Sequence, residues 1–426
     1  MKKNIKRLLW ASLSFLGMSC ILGSCASNEE HIEESYENKE NTENSSGTPY
    51  SLLNLTDPQW ETLLGINSFG ENYVREAYTS SPNKDSSNFF IARFEVARML
   101  AILANGADEV TQKEISELLG ADIEKLNSLF GVATDWLKRA DNQVRFNSGT
   151  SLWLANNTPV DNDFVTILKN VYDAEAYSRE LSSAATKEEI NRWYADKTEG
   201  MIPEFLETTL PTLVNMYVGN AVFFNGKWTT PFEKSDTSRE SFHSSDGSEG
   251  IVEMMHLKEI SLSYAELKEG GEVIEMPFGN GIYSIWFYLP PAGMKIDNAL
   301  SFLECIDQPD IYVAKKINLS LPKFNIRNRS ENVKNILLNM GFENLFDSSA
   351  FSRLGQLELA SLTQESVIEF DESGAKAAAA SGGIWAAHGI VHDLEDVIEM
   401  NFDRPFYFCI KANPNFVLFS GIVNKL

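Results

Sequence analysis

The sequence contains five histidines, the first candidates for acid–base or metal chemistry, at positions 31, 243, 256, 388 and 392. His388 and His392 are four residues apart, a spacing that on a helix would present both imidazoles to one metal ion. Gly389 and the β-branched residues between them disfavour a helix. We therefore interpret His388 and His392 as loop residues rather than metal ligands.

Other catalytic signatures are missing from the sequence. It contains no Gly-x-Ser-x-Gly elbow, no His-Glu-x-x-His motif and no phosphate-binding glycine loop. Ser81 and Lys84 match Ser-x-x-Lys, but they lie in a cluster of Ser, Pro, Asn and Asp that predicts a surface turn. No residue constellation in the sequence supports a catalytic centre, a metal site or a cofactor, and we expect a protein that is not an enzyme.

Composition and charge restrict the function further. The 426 residues, 43 % of them hydrophobic, are enough for one large core or two smaller ones. The formal net charge of −24 argues against nucleic-acid binding, because a phosphate backbone must be met by clustered Lys and Arg. Outside the N-terminal segment only Cys305 and Cys409 remain, and their apolar surroundings predict buried, unpaired thiols rather than a disulfide.

The first 25 residues predict a targeting segment. Four basic residues precede a mostly apolar stretch from Leu8 to Leu22, which is followed by Gly-Ser-Cys ending at Cys25. This pattern resembles a bacterial lipoprotein signal, in which the cysteine becomes the lipidated first residue. The alternatives are lipidation at Cys20, which ends Gly-Met-Ser-Cys within the apolar stretch, and an ordinary signal peptide. We favour lipidation at Cys25, and hence an exported protein anchored to a membrane of the bacterial cell envelope, with the outer surface as one option.

Residues 26–55 differ in composition from everything that follows. They are acidic, polar and nearly free of aliphatic side chains, so they cannot bury enough surface to fold and predict a flexible tether. From residue 56 to residue 426 there is no internal repeat, long linker or second shift in composition. These residues therefore predict one large domain.

Helix signals dominate the first half of this domain, and strand signals the second. Capping-box patterns that start at Thr111 and Thr186 predict helices, and glycines predict helix ends at Gly120, Gly200 and Gly341. Alternating apolar residues predict strands within 281–291 and 316–326, and residues 406–423 predict a hairpin around Asn-Pro-Asn. This order favours an α+β fold with mostly antiparallel strands.

The segment EFDESGAKAAAASGGIWAAHG, residues 369–389, permits two interpretations. A helix from Ala375 to Ala380 would be only about two turns long, which is marginal without an apolar face to pack. A strand would place only small residues on one face and Lys376 on the other; the small ones are Ala375, Ala377, Ala379, Ser381 and Gly383. Because such a face can enter a packed sheet without overfilling it, we favour a segment able to become a strand.

Residues from about Leu52 to Leu426 resemble the serpin family. The most specific match is FDRPFYFCI at 402–410 followed by FVLFSGIVN at 416–424, which is similar to the family's C-terminal signature. NAVFFNGKWTTPF at 220–232 is similar to the segment ending in the tryptophan beneath the loop-insertion site, here Trp228. Four more segments match in order: NGADEVTQKEISELLG, EINRWYADKTEGMI, EMMH and INLSLPKFNI.

The resemblance implies a serpin-like α+β fold with large, mostly antiparallel sheets, a helical N-terminal part and an exposed reactive-centre loop at about 372–396. It also implies a monomer whose partner is a serine protease, held as a covalent acyl complex while the cleaved loop inserts into the main sheet as a new strand. DESGAKAAAAS is similar to the family's loop hinge, which here comprises Glu372, Gly374, Ala375, Ala377, Ala379 and Ser381.

The reactive bond stays open between alternatives. Counting from Gly374 at the family's spacing gives His388–Gly389. A register one residue shorter gives Ala387–His388, which would suit an elastase-like protease with a small apolar pocket. Counting back from DRPF gives a residue near Leu394. Trp385 is a subsite contact in the first two registers, or otherwise a loop aromatic packed on the body.

Several residues beneath the opening strands depart from the family pattern. Ala92 and Glu95 stand where the family has two serines, and Gln364 stands for a histidine, whereas Asn220 is retained. A buried carboxylate is costly unless it is paired, so either Glu95 has a partner or this register is off by one. Two functions follow from the resemblance: a suicide-substrate inhibitor of serine proteases, or a non-inhibitory lipoprotein that is a binding protein or a plain protease substrate.

Overall fold

A computed structural model describes residues 52–156, 158, 161–268, 270–296, 300, 312–330, 332–354, 357–375, 397–413 and 415–426. These residues belong to one compact unit, Tyr50–Leu426. Their α-helices lie mostly in the first half of the chain: α1 Asp57–Thr79, α2 Arg93–Gly106, α3 Glu109–Leu119, α4 Ile123–Arg139, α5 Asn162–Tyr172, α6 Ala184–Lys197 and α7 Val333–Asn339.

Strands fill most of the second half. They are β1 Phe89–Ile91, β2 Val144–Ala155, β3 Glu175–Arg179, β4 Met216–Gly226, β5 Ser238–His243, β6 Glu249–Glu266, β7 Glu272–Phe278, β8 Tyr283–Leu289, β9 Val313–Pro322, β10 Phe324–Ser330, β11 Leu359–Asp371, β12 Gly374–Ala375, β13 Ile398–Asn401, β14 Phe406–Ala412 and β15 Phe416–Val423. The predicted α+β class is confirmed.

The described strands form two sheets. The nine-stranded sheet has the order β1-β15-β14-β8-β7-β6-β9-β13, with β5 also paired to β6. The six-stranded sheet has the order β10-β11-β4-β2-β3, with β12 also paired to β11. Most pairs are antiparallel, and the parallel ones are β11–β4, β2–β3 and β13–β9.

Two predicted helix starts are wrong, while the predicted C-terminal glycine of α3 is confirmed. Asp108 caps α3 by accepting a hydrogen bond from the backbone N–H of Thr111, and Ser183 caps α6 in the same way with Thr186. In both helices the residue chosen from the sequence is the donor, three residues past the true cap. Gly120 ends α3 in a left-handed conformation with φ of 75°.

The strand predictions in the second half are confirmed with one refinement. Residues 316–326 contribute to two strands, β9 and β10, which Lys323 separates. The C-terminal hairpin pairs Ala412 with Phe416 at its turn. Both hairpin strands are buried along their whole length, and Cys409 is fully buried among them. The aromatic rings of this core include Phe90 and Phe419, stacked 5.2 Å apart.

Candidate functional site

The centre of the six-stranded sheet is a direct parallel pair of β4 and β11. The register runs from Leu359 opposite Met216 to Val367 opposite Phe223, with Gln364 opposite Asn220. If two parallel strands separate, one strand that runs antiparallel to both can enter between them and form hydrogen bonds with each. The chain that leaves β11 turns back in the direction such a strand requires.

This reversal takes place directly after β11. Glu372 and Ser373 form a turn, and β12 then pairs antiparallel with the end of β11, with Ala375 opposite Phe370 and Gly374 opposite Asp371. Gly374 also bridges to Lys227, the residue that follows β4. The first two residues after the turn therefore already pair with the end of β11 and with the residue that follows β4.

Gly374 is required by the close approach at this point. Its φ is +129°, and an added Cβ would lie 2.2 Å from the carbonyl oxygen of Gly226 and 2.7 Å from the backbone nitrogen of Trp228. Both neighbours are backbone atoms, so no side-chain rotation could relieve the clash. Only glycine lets β12 pass against the end of β4.

Trp228 holds the turn in place through hydrogen bonds to its backbone and through ring stacking. Its indole Nε1 donates to the carbonyl of Asp371 at 3.0 Å, and its backbone N–H donates to the carbonyl of Ser373 at 3.0 Å. Its ring stacks on Phe278, with the centroids 4.7 Å apart, and on Phe370 at 5.6 Å. The hinge thus rests on a buried aromatic stack and is held by hydrogen bonds to its backbone.

Glu372 is the charged group of the turn. Its carboxylate accepts a hydrogen bond from Thr237 at 2.9 Å and pairs with Lys323 at 2.6 Å, while its side chain is only 5 % exposed. Burial acts to raise the pKa of the Glu372 carboxyl, but the hydrogen bonds from Lys323 and Thr237 outweigh it and hold this pKa below its usual range. The Glu372 carboxyl is therefore ionised at neutral pH and is held in place by Lys323 and Thr237.

A buried polar network crosses the β4–β11 pair on the face toward α2. The Gln364 side chain donates to the carbonyl of Ala92 and accepts from its backbone N–H, both at 3.1 Å, and so holds the start of α2. It also donates to Asn220 Oδ1 at 3.1 Å. The Asn220 amide in turn donates to Gly149 O at 3.0 Å and to Glu95 Oε2 at 3.2 Å.

Glu95 has a buried partner, Arg98, one turn along α2. Arg98 Nη1 donates to Glu95 Oε2 at 2.8 Å and to Ser148 Oγ at 2.6 Å, and its Nη2 donates to the carbonyl of Tyr172. Both side chains are 2 % exposed. Of the two alternatives raised by the sequence, the structure shows the paired carboxylate.

A second polar contact crosses the same strand pair on its outer face, which α6 covers. The Tyr217 hydroxyl of β4 lies 2.9 Å from Thr363 Oγ1 of β11 and 3.3 Å from the Tyr194 hydroxyl of α6. All three residues are buried. Burial raises the pKa of Tyr217 to about 12, so this hydroxyl is neutral and remains a hydrogen-bond donor over the physiological range.

The sequence profile of the serpin (serine protease inhibitor) family matches residues 65–426, most of the chain. The chain belongs to the serpin family. Curated relatives agree over most of their own length: Iripin-3 of Ixodes ricinus is 27 % identical over 365 residues, which are 81 % of this chain and 91 % of the relative. The plasma serine protease inhibitor of Homo sapiens is 26 % identical over 352 residues, 80 % of this chain and 85 % of the relative.

Solved serpin structures match the fold. The crystal structure of native protease nexin-1 with heparin superposes with a TM-score of 0.77 at 24 % identity, covering 87 % of this chain and all of that one. The native state of the thermophilic serpin tengpin superposes with a TM-score of 0.75 at 25 % identity, covering 89 % and 97 %. The predicted serpin-like fold is confirmed.

In this serpin, the described site residues lie in two places along one strand pair. The C-terminal end of the β4–β11 pair holds Trp228, Glu372, Gly374 and Ala375. The middle of the pair holds Asn220, Gln364 and Glu95. Other predicted residues lie outside the described part of the chain: Cys25, residues 26–51 of the tether, Ala377, Ala379, Ser381, Trp385, Ala387, His388, Gly389, His392, Leu394 and Cys305.

Sequence reasoning missed three residues of this site. Arg98 could have been found, because it lies three residues after Glu95 in a helix whose other residues are mostly apolar. Lys323 and Thr237 had no such signal, since Glu372 lies 49 and 135 residues away from them along the chain. Only the folded chain brings Lys323 and Thr237 to Glu372.

Metal sites and membrane-spanning helices are both missing from the residues that the structure describes. Among those residues, no group of three or more His, Cys, Asp or Glu could hold a metal ion. No helix among them is both long and apolar enough to cross a membrane.

Proposed function

We propose that this serpin is a suicide-substrate inhibitor of serine proteases. The protease serine attacks the scissile carbonyl of the reactive-centre loop, the peptide nitrogen leaves with a proton, and an ester joins the loop to the protease. Insertion of the cleaved loop between β4 and β11 then carries the protease away before water reaches the ester. This chain supplies no catalytic group; its strand pair supplies the driving force.

The observation that carries this proposal is the agreement of two independent registers at the hinge. Continuing the pairing of Ala375 with Phe370 along β11 brings Ser381 opposite Gln364. Continuing the bridge of Gly374 with Lys227 along β4 brings Ser381 opposite Asn220. Because Gln364 and Asn220 are themselves partners, one inserted strand satisfies both registers without a bulge.

This register also gives each hinge residue a side. Residues 375, 377, 379, 381 and 383, all small, would face α2, where the layer beneath the sheet is already packed. The Ser381 hydroxyl would lie between Asn220 and Gln364 and can replace the hydrogen bond that they lose when the strands part. Lys376 would lie on the outer face opposite Glu369, an opposite-charge pair across the strands.

The target we propose is an elastase-like protease. The support is the Ala387–His388 register, which offers a small apolar residue to the protease pocket. The His388–Gly389 register and the count that ends near Leu394 are its competitors. Mass spectrometry of the loop after protease challenge identifies the cleaved bond and decides among the three.

The test is incubation with elastase-like and chymotrypsin-like proteases, followed by electrophoresis under denaturing conditions. A covalent complex that survives denaturation, together with a cleaved form of higher thermal stability, supports inhibition. Complete cleavage with no complex and no gain in thermal stability would make the protein a plain substrate and overturn the proposal. A protease whose active-site serine is replaced by alanine is the control, since it cannot form the ester.

We also propose that the protein is lipidated at Cys25 and held at the bacterial cell envelope by its tether. The support is the basic and apolar leader that ends at this cysteine. Expression in a bacterial host with a labelled fatty acid tests it, with Cys25→Ser as the variant and Cys20→Ser as the matched control. Label lost only in Cys25→Ser supports the anchor, and equal labelling of both variants contradicts it.

A further inference from the structure

Opening of the β4–β11 pair divides the six-stranded sheet into two parts that must move apart by about one strand spacing, roughly 4.8 Å. One part contains β2, β3 and β4, and the other contains β10 and β11. The backbone hydrogen bonds lost between β4 and β11 are regained with the inserted strand. Side-chain contacts that cross the boundary are not regained in this way, so they hold the sheet closed.

The outer face of the sheet is covered by α6 and by residues 198–215, which we call the covering segment. A buried apolar cluster joins the covering segment to α6, β2 and β4, and among the described residues it includes none from β10 or β11; its members include Trp153, Ile190, Tyr194, Phe205 and Tyr217. Asn191 of α6 accepts hydrogen bonds from the backbone N–H groups of Phe205 and Leu206, at 3.0 and 2.7 Å. The covering segment therefore belongs to the β2–β4 part.

Arg329 of β10 reaches across the boundary to this segment. Its Nη1 donates to the carbonyl oxygen of Phe205 at 2.7 Å, and its guanidinium lies over the Phe205 ring, 4.3 Å from the centroid. The Phe205 ring is itself stacked on Tyr194, with the centroids 3.9 Å apart and the planes 4° from parallel. Arg329 is thus tied to a fully buried ring that cannot follow β10.

Arg327, two residues earlier on the same strand and face, makes a different kind of contact. Its Nε donates to Glu365 Oε1 of β11, and Glu365 is fully buried. Because β10 and β11 stay paired during opening, the Arg327–Glu365 ion pair moves as one unit. The two arginines therefore differ in one respect that matters here: only Arg329 crosses the boundary.

We infer that Arg329 is a positioning residue that slows insertion, by tying the moving β10–β11 part to the covering segment through Phe205. This inference rests on the proposed function, because it concerns the rate of the same sheet opening. Loss of a charged hydrogen bond and a partly exposed cation–π contact is expected to speed opening by roughly threefold to tenfold. Arg329→Lys keeps the charge without the planar fork and should lie between the wild type and Arg329→Gln.

The experiment measures how fast the uncleaved protein takes up a synthetic peptide, AKAAAASGGIW, with the sequence of residues 375–385. Uptake is followed by the rise in the thermal unfolding midpoint and by mobility on a native gel. Arg329→Gln should take up the peptide faster than the wild type. The matched control Arg327→Gln/Glu365→Gln, which removes an ion pair within the moving part, should keep the wild-type rate even if its unfolding midpoint falls.

The possible results separate this inference from the proposed function. If the wild type takes up the peptide and Arg329→Gln takes it up no faster, the inference is overturned while the proposed function stands. Equal acceleration in the control variant also overturns it, because general destabilisation would then explain the rate. If neither peptide uptake nor stabilisation after loop cleavage occurs in the wild type, the proposed function fails and the inference fails with it.

Discussion

Glu95 and Arg98 form a buried ion pair beneath β4, and its stability depends on both charges being present. Glu95 is bonded to Arg98 and Asn220, and Arg98 also holds Ser148 and the carbonyl of Tyr172. Removing one charge leaves the other buried without a partner in a nonpolar interior. The pair therefore ties α2 to β2 and β4.

Substitution of this pair should be strongly non-additive. Arg98→Met alone leaves the Glu95 carboxylate buried without its cation and should lower the free energy of unfolding by about 3–5 kcal/mol. Glu95→Gln/Arg98→Met keeps an amide beside Asn220 and should recover most of that loss. Urea unfolding of the single and double variants provides the measurement. A loss in the double variant equal to the sum of the losses in Arg98→Met and Glu95→Gln alone would show that the pair is not coupled.

The Glu372–Lys323 pair should make the hinge sensitive to acid. The pKa of Glu372 is lowered in the folded protein, so its contribution to stability is complete above the ordinary pKa of a glutamic acid and is lost as the pH falls through the lowered value. Burial acts to lower the pKa of Lys323, but its hydrogen bond with Glu372 raises it overall, so the lysine's contribution is lost only as the pH rises through that raised value. Neutral pH lies on the plateau between.

Glu372→Gln tests this pH dependence. The variant should be less stable than the wild type at neutral pH, and the difference should shrink as the pH falls through the lowered pKa of Glu372. Thermal unfolding midpoints measured from neutral to acid pH provide the readout. Glu253→Gln is the control, because Glu253 is an exposed second partner of Lys323 at 3.5 Å. A constant difference between Glu372→Gln and the wild type at every pH would contradict this account.

At the scale of elements, the short strand β12 depends on the absence of a side chain at position 374. Gly374→Ala would place a Cβ against backbone atoms of Gly226 and Trp228, at 2.2 and 2.7 Å, and would strain a φ of +129°. We expect β12 to be expelled from its pairing with β11, which should lower the thermal unfolding midpoint and expose the hinge to proteolysis. Limited proteolysis near residue 374 measures the second effect.

Gly200→Ala is the control for this prediction. Gly200 also has a positive φ, +82°, but an added Cβ there would meet nothing within 4 Å. It therefore carries the backbone strain without the steric clash. If both variants lose the same stability and neither becomes more sensitive to proteolysis at the hinge, the close approach at Gly374 is not what holds β12.

The elements themselves were predictable to different degrees. Alternating residues predicted β8 and β9, and the Asn-Pro-Asn turn between two apolar runs predicted the β14–β15 hairpin, whose strands are buried along their whole length. The starts of α3 and α6 were misplaced because Asp108 and Thr111, or Ser183 and Thr186, are both acceptable caps three residues apart. The β4–β11 pairing joins residues 144 positions apart, and local periodicity carries no information about it.

At the scale of the whole molecule, the two registers at the hinge predict a distinct solvent exposure for each residue of the inserted strand. After cleavage, position 381 should lie on the face toward α2, between Asn220 and Gln364. Position 376 should lie on the outer face, near the C-terminal ends of β4 and β11. The sequence supplied the small face, but only the pairings of Gly374 and Ala375 indicate which buried groups that face would meet.

The most direct test is the alkylation rate of a thiol at position 381 before and after the loop is cleaved, in the variant Ser381→Cys. We expect cleavage to protect this thiol while the thermal unfolding midpoint rises, and a thiol at position 376, in Lys376→Cys, to react still. If the thiol of Ser381→Cys reacts as fast after cleavage as before it, in a protein of unchanged thermal stability, insertion between β4 and β11 is contradicted.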